Sequence, residues 1–392
     1  MTNETPKTNL PDGIYFDLSF ADYLAQERLS GSGLTKLIEG PSVFWADSWM
    51  NPDREPEEET PSMALGSAYH AARFEPAEFP ERYACLPNPD DFENLLTSDA
   101  AVCAKLKELE ETQKKAGETQ NQRALRLEYL KPEISIWSII MEEWEEDNEG
   151  KKPLKPRDWR RIETDARNLR ANPEIADLVS GGYAEVSILY TCPSTGLPIK
   201  IRPDYLTPER VVHFKTWEPR FSGGKPGNIS IRDNFQFNGH YRTNLLYLEG
   251  LEETRLGNVP LANYGGSEKK TLVAQQVFLK ALRHRKGPLD SWYLFQRRGG
   301  VPDIRARKIR VFDLPPGVKA QSIGAEESEK NFRKTASAVA RKASLEIAAC
   351  KKLYMDALDI YGVEPWFPRD MIGELSDDDF SPYWLDSIQE PR

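Results

Sequence analysis

Cysteine and histidine are both scarce, with four of each in 392 residues. Cys85, Cys103, Cys192 and Cys350 are scattered with no close pair, which argues against a zinc ribbon, a CxxC redox motif, a four-cysteine iron–sulfur cage or a disulfide framework and leaves free core thiols. No run approaches the ~18 apolar residues of a membrane span. The opening MTNETPKTNLPDG is polar and holds no apolar stretch, so no secretory or transit segment is expected and a cytoplasmic location is. Neither GxGxxG opening a helix after a strand nor GxxxxGK[ST] occurs, so a nucleotide cradle has no support. No internal repeat is visible. A basic excess is missing too: the formal net charge is −10, which argues against a protein that binds nucleic acid over its whole surface. Acidic runs from Asp53 to Glu59 and from Glu142 to Glu149 hold much of that charge, so local basic patches remain open.

What is present points to one large domain over residues 28–370, with a flexible lead at 1–27 and a tail at 371–392. LSGSGLTKLIEG reads as a Ser-capped helix ending at Gly40. TPSMALGSAYHAARFEP offers Thr60 as N-cap and Pro61 at the first helical position. Its small residues Ala64, Gly66, Ala68, Ala71 and Ala72 suit close approach to a sheet, and Gly66 shares a face with His70. Residues from about 100 to 172 read as a helical insertion, interrupted by the surface loop DNEGKKPLKP.

The period then switches to two. YAEVSILY, LPIKIRPD and VVHFKTW read as three strands joined by PSTG and TPER turns. Alternation puts Lys200, Arg202 and Asp204 on one face of the second strand. It puts His213 and Lys215 on one face of the third, with Val212 and Phe214 opposite. After FSGGKPGN, RDNFQFNGHYRTNLLYLEGL predicts one helix weakened by Gly239. Strands are expected around LVAQQVFLKAL, SWYLFQRR and ARKIRVF, then a long helix from about 322 to 359. The order gives an α/β protein of the α+β type, a mixed central sheet flanked by helices rather than a doubly wound one.

His70, Asp204, His213 and Lys215 form the constellation with chemistry in it. A carboxylate at a strand end can hold a divalent ion, and a ligand on the next strand fixes the ion's position. A lysine two residues on can hold an attacking water or offset charge developing on a phosphoryl group. Each residue has a plainer reading: His70 as a packed core histidine, Asp204 as an Asx-turn opener before TPER, Lys215 as a solvated strand lysine.

Taken in order, GSAYH with His70, AEVS with Glu185, RPD with Asp204, HFK with Lys215 and FQFNGHY with Gln236 resemble the PD-(D/E)xK nuclease superfamily. Within it they are similar to the phage and prophage exonuclease VIII-like exonucleases, as are LSGSGLTKLIEGPSVFWA and YGVEPWFP. The resemblance implies a restriction-endonuclease-like core and degradation of double-stranded DNA from an end, leaving single-stranded tails. It implies Mg2+ or Mn2+ as cofactor, a ring-shaped homo-oligomer and a single-strand annealing protein as partner. His70 and Asp204 would be metal ligands, Glu185 a metal ligand through water or an orienting group, and Lys215 the catalytic lysine. Gln236, with His240 or Tyr241 a turn later, would line the DNA-end side.

The chain departs from the pattern at His213, which stands where the second metal carboxylate belongs. Two imidazoles with Asp204 suit manganese, iron or zinc better than magnesium. The alternative is a nuclease fold that has lost its acid and now holds DNA ends or a protein. DNA contact would come from Lys280, Arg283, Arg285 and Lys286, then Arg297, Arg298, Arg305, Arg307, Lys308 and Arg310, opposed only by Asp303. The same residues could form a merely solvated hairpin.

Overall fold

The computed structural model describes residues 9–55, 60–217, 227–262, 269–297, 301–310 and 337–367. The chain begins with β1 (Gly13–Tyr15), α1 (Phe20–Ala25), α2 (Gly31–Glu39), α3 (Pro41–Asp47), α4 (Pro61–Phe74), α5 (Phe79–Arg82) and β2 (Tyr83–Cys85). A helical stretch follows: α6 (Asp99–Glu108), α7 (Gln120–Leu130), α8 (Trp137–Asp147), the short β3 (Lys152–Leu154), α9 (Pro156–Ala171) and α10 (Pro173–Leu178). Next come β4 (Tyr183–Ala184), β5 (Ser187–Thr191), β6 (Pro198–Ile201), β7 (Tyr205–Leu206) and β8 (Arg210–Trp217). The described chain ends with α11 (Gly227–Phe237), α12 (His240–Leu256), α13 (Lys269–His284), β9 (Asp290–Arg297), β10 (Ile304–Lys308) and α14 (Ala338–Tyr361).

The fold is mixed α/β. A five-stranded sheet has the order β10-β9-β8-β7-β4, a three-stranded sheet the order β1-β5-β6, and β2 pairs with β3. The β8 and β9 strands run parallel while β7 and β10 run antiparallel to their neighbours, so strand orientation is mixed. No helix among the described residues is long and apolar enough to cross a membrane.

Period-two alternation on β8 and β9 separates two cores. Val212, Phe214 and Leu294 pack with Phe74 of α4 and with Leu169, Ile175 and Leu178 of α9 and α10. On the other face Trp217, Tyr293 and Phe295 pack with Ile231 of α11. The three-stranded sheet buries Ile188, Ile199 and Ile201 against α2, α12 and α14. The helical insertion has its own small core of Val102, Leu106, Ala124, Leu127, Ile134, Ile136 and Ile139.

Several sequence expectations change. Part of the lead is built in: β1 pairs with β5, and Arg28 ties to Asp12 at 2.6 Å. The loop DNEGKKPLKP contains β3, whose parallel partner β2 satisfies its backbone. LVAQQVFLKAL lies in helix α13, which turns Gln275, Phe278, Leu279 and Leu282 inward at three- and four-residue spacing. Gly239, at φ 65°, divides the expected single helix into α11 and α12. The last helix starts at its Ser337 cap; residues 322–336 and the tail 371–392 lie outside the described residues.

Candidate functional site

YAEVSILY does not run as one strand. Glu185 takes a left-handed conformation, φ 54°, between β4 of one sheet and β5 of another. The partner strand changes sheets at the same level, through Arg202, Pro203 and Asp204 between β6 and β7. Continuing the β4–β7 register sets Glu185 opposite Asp204, and Glu185 N–H donates to the Asp204 carbonyl at 3.3 Å. A side-chain-bearing residue at positive φ costs on the order of 1 kcal/mol, and such strain gathers where geometry is needed for function.

Helix α4 delivers the third group. Thr60 caps it by accepting from Met63 N–H, and Pro61 occupies its first turn, as the sequence predicts. Buried Arg73 anchors it by donating to Gln296 Oε1 of β9 at 2.6 Å and lying over the Phe214 ring. One turn earlier on α4, His70 points at both carboxylates: Nε2 is 3.1 Å from Glu185 Oε1 and 3.8 Å from Asp204 Oδ1. That nitrogen is buried, yet makes no aligned hydrogen bond to either. One ligand atom from each of His70, Glu185 and Asp204 lies within 4.8 Å of the other two. An imidazole nitrogen and two carboxylates converging in this way are a donor set that fits a divalent cation.

Each carboxylate is held from behind. The Arg202 guanidinium bonds Glu185 Oε2 and also donates to Leu18 O at 2.9 Å and Ser187 Oγ at 2.6 Å. Asp204 Oδ2 accepts from Phe214 N–H at 2.6 Å and faces Lys215 Nζ at 4.0 Å. Burial would push the Asp204 carboxyl up, but Lys215, His70 and His213 outweigh it and hold it well below the usual range. For His70 burial works downward, and the charges of Asp204, Glu185 and Glu75 reverse it to a net rise. Without a cation the imidazole is thus drawn toward its protonated form by the carboxylates it would join in ligation.

His213 shares its face with Lys215, as alternation predicts, but lies outside this trio. It is 3% exposed, with its ring 4.8 Å from that of Tyr293 and 5.1 Å from that of Tyr247. Burial depresses it to about 4, leaving a neutral imidazole whose Nε2 has no hydrogen-bond partner. His240 is depressed further, to about 3, by burial and then by Lys215 and His213. Its Nε2 sits 3.2 Å from Asn234 Oδ1.

The other expected site residues separate. Gln236 is exposed near the end of α11, and no hydrogen bond ties its side chain to the trio. Tyr241 is buried in the main core and donates to Glu346 Oε2 of α14 at 2.8 Å, so it presents no surface to DNA. Arg283 is used internally, donating to the Val259 carbonyl at 2.8 Å. Arg285 and Lys308 both reach Asp290. Lys280 and Lys286 are exposed, and Arg298 lies outside the described residues. The basic residues therefore form no single stripe; Arg297, Arg305 and Arg307 group at the edge of the large sheet, with Arg310 just beyond β10.

Sequence reasoning gave no role to Arg202, although it had placed the residue on the face of Asp204. The missing signal was the left-handed turn at Glu185, which brings the carboxylate back to that arginine. No protein-family model matches the chain, and no curated protein matches it.

Proposed function

We propose that the protein is a metal-dependent phosphodiesterase acting on DNA, with His70, Glu185 and Asp204 as the cation's ligands and Lys215 as the catalytic cation of the protein itself. The observation behind this is the convergence of the three ligand groups within 4.8 Å, with Lys215 Nζ 4.0 Å from Asp204. Such a cation, when bound, supplies Lewis acidity toward a phosphoryl oxygen and its attacking water. Asp204 fixes its own carboxylate through the Phe214 N–H, leaving Oδ1 toward His70. Lys215 stands where an ammonium can offset charge on the phosphoryl oxygens as water adds and the alcohol leaves. The products are a phosphate monoester and a hydroxyl.

In this reading Glu185 supplies the second acid that position 213 lacks. Two carboxylates and one imidazole keep the site's charge suitable for Mg2+ and still more for Mn2+, which tolerates nitrogen ligands. The finer expectations, a restriction-endonuclease-like core, exonuclease action on double-stranded ends, a homo-oligomer and an annealing partner, rest on the resemblance of the ordered motifs. The test is incubation of linear and circular duplex DNA with the protein in Mn2+, in Mg2+ and in EDTA, beside Asp204→Asn. Cation-dependent release of nucleotides from linear DNA, lost in the variant, supports the reading. Uncut DNA with either cation overturns it in favour of a nuclease-like fold that only binds.

A further inference from the structure

Arg305 and Arg307 both donate to one oxygen, Asn228 Oδ1, at 2.9 and 2.8 Å. Two like-charged guanidiniums thus meet on a single neutral acceptor. Arg305 is braced by Asp303, through bonds of 2.7 and 3.0 Å, while Arg307 has no carboxylate partner among the described residues. Arg297 adds a third guanidinium, and both it and Arg305 lie 5.9 Å from the Trp217 ring centre. One acid against three arginines leaves a local positive excess on a chain whose net charge is −10. Arg305 also packs where Gly227 has no side chain: a Cβ there would meet the guanidinium at 2.5 to 2.8 Å.

The position of the cluster relative to the trio gives it meaning. Pairing sets Lys215 beside Phe295 and Phe295 beside Arg305; His213, Tyr293 and Arg307 form the adjacent row. Partners in a row share a face, so Arg305 and Arg307 emerge on the face of Lys215, two strands away. At ~4.8 Å per strand this is about 10 Å, near three steps of ~3.4 Å along one strand of a duplex. Arg307 and Asn228 are exposed, so a ligand can reach them.

We propose that Arg305 and Arg307 seat a backbone phosphate of the DNA strand being cut, about three nucleotides from the scissile bond. Asn228 Oδ1 occupies the point where a phosphate oxygen would accept from both guanidiniums. Forked guanidinium donors match phosphate geometry, and an anion removes the repulsion that one amide oxygen only bridges. Asp303 sets the orientation of Arg305 and tempers its charge. The inference rests on the phosphodiesterase reading for the identity of the strand.

The experiment uses the full chain in EDTA, with fluorescence anisotropy of a labelled duplex oligonucleotide followed over a series of salt concentrations. Replacing both residues by glutamine should flatten the slope of log affinity against log salt by up to ~1.8, ~0.9 for each lost contact. Asp303→Asn should tighten binding, a sign that a purely structural role for the cluster does not give. Lys352→Gln, an exposed charge on α14, should change neither. If the double variant unfolds, Arg307→Gln alone should flatten the slope by up to ~0.9. An unchanged slope in a folded variant, Asp303→Asn binding no more tightly, or a wild type that does not bind DNA overturns the seat. Binding with the expected slopes but no cleavage with any cation refutes the phosphodiesterase reading and leaves the seat standing; cleavage with unaltered slopes does the reverse.

Discussion

Glu185 and Asp204 face one another where β4 and β7 end, joined by a backbone hydrogen bond of 3.3 Å. The left-handed turn at Glu185 sends its carboxylate to His70 instead of along the sheet. Glu185→Gln keeps the size of the side chain and removes the charge, so Mn2+ affinity measured by titration calorimetry should fall at least about tenfold, or about 1.4 kcal/mol. An unaltered affinity would remove Glu185 from the ligand set.

Lys215→Met should abolish hydrolysis while leaving Mn2+ affinity within a few-fold of wild type, because the ammonium acts on the transition state and not on the ground-state cation. A loss of about 10² or more in kcat, with little change in KM, is the expected pattern. Cleavage at the wild-type rate would show that the lysine only solvates Asp204.

His213→Asp restores an acid two residues before the lysine, but in a pocket lined by Tyr247 and Tyr293. In EDTA the buried, unpaired carboxylate should cost on the order of 3 kcal/mol. A cation within its reach would repay part of that, so Mn2+ should raise the variant's melting temperature more than the wild type's. An equal Mn2+ shift in both proteins would mean that position 213 does not reach the cation.

Much of this was legible from local rules. The Thr60 cap, the Ser30 cap with Gly40 at the end of α2, and the two faces of β8 follow from short-range sterics and alternation. The break at Glu185 was hidden because YAEVSILY keeps a strand's composition, while the left-handed residue is neither Gly nor Asn. Helix α13 was misread through its valines, although Gln275, Phe278, Leu279 and Leu282 carry the helical period. The dispersal of the basic residues could not be read at all. Whether an arginine faces solvent, as Arg307 does, or caps carbonyls, as Arg283 does, is decided by tertiary packing.

Lys351 of α14 and Glu249 of α12 form a buried pair, with Nζ 2.8 Å from both carboxylate oxygens and 3.0 Å from Cys192 Sγ. Lys351→Met should cost about 3–5 kcal/mol, since it strands the Glu249 charge. Burial alone would lower the lysine's pKa, but Glu249 and Cys192 raise it above its usual 10.5. A lysine raised on folding contributes its full stability below the unfolded value and loses it as pH climbs through the folded one. The stability gap between wild type and variant, from urea melts, should therefore hold through neutral pH and narrow only above about 10.5. A gap that narrows between pH 6 and 8, roughly the histidine range, would assign the effect to another group.

The most direct test of the cation site is anomalous scattering from crystals soaked in Mn2+. A peak ~2.1–2.3 Å from His70 Nε2 and from a carboxylate oxygen of both Glu185 and Asp204 is the predicted result. A Mn2+ peak elsewhere with none between these three residues would contradict it.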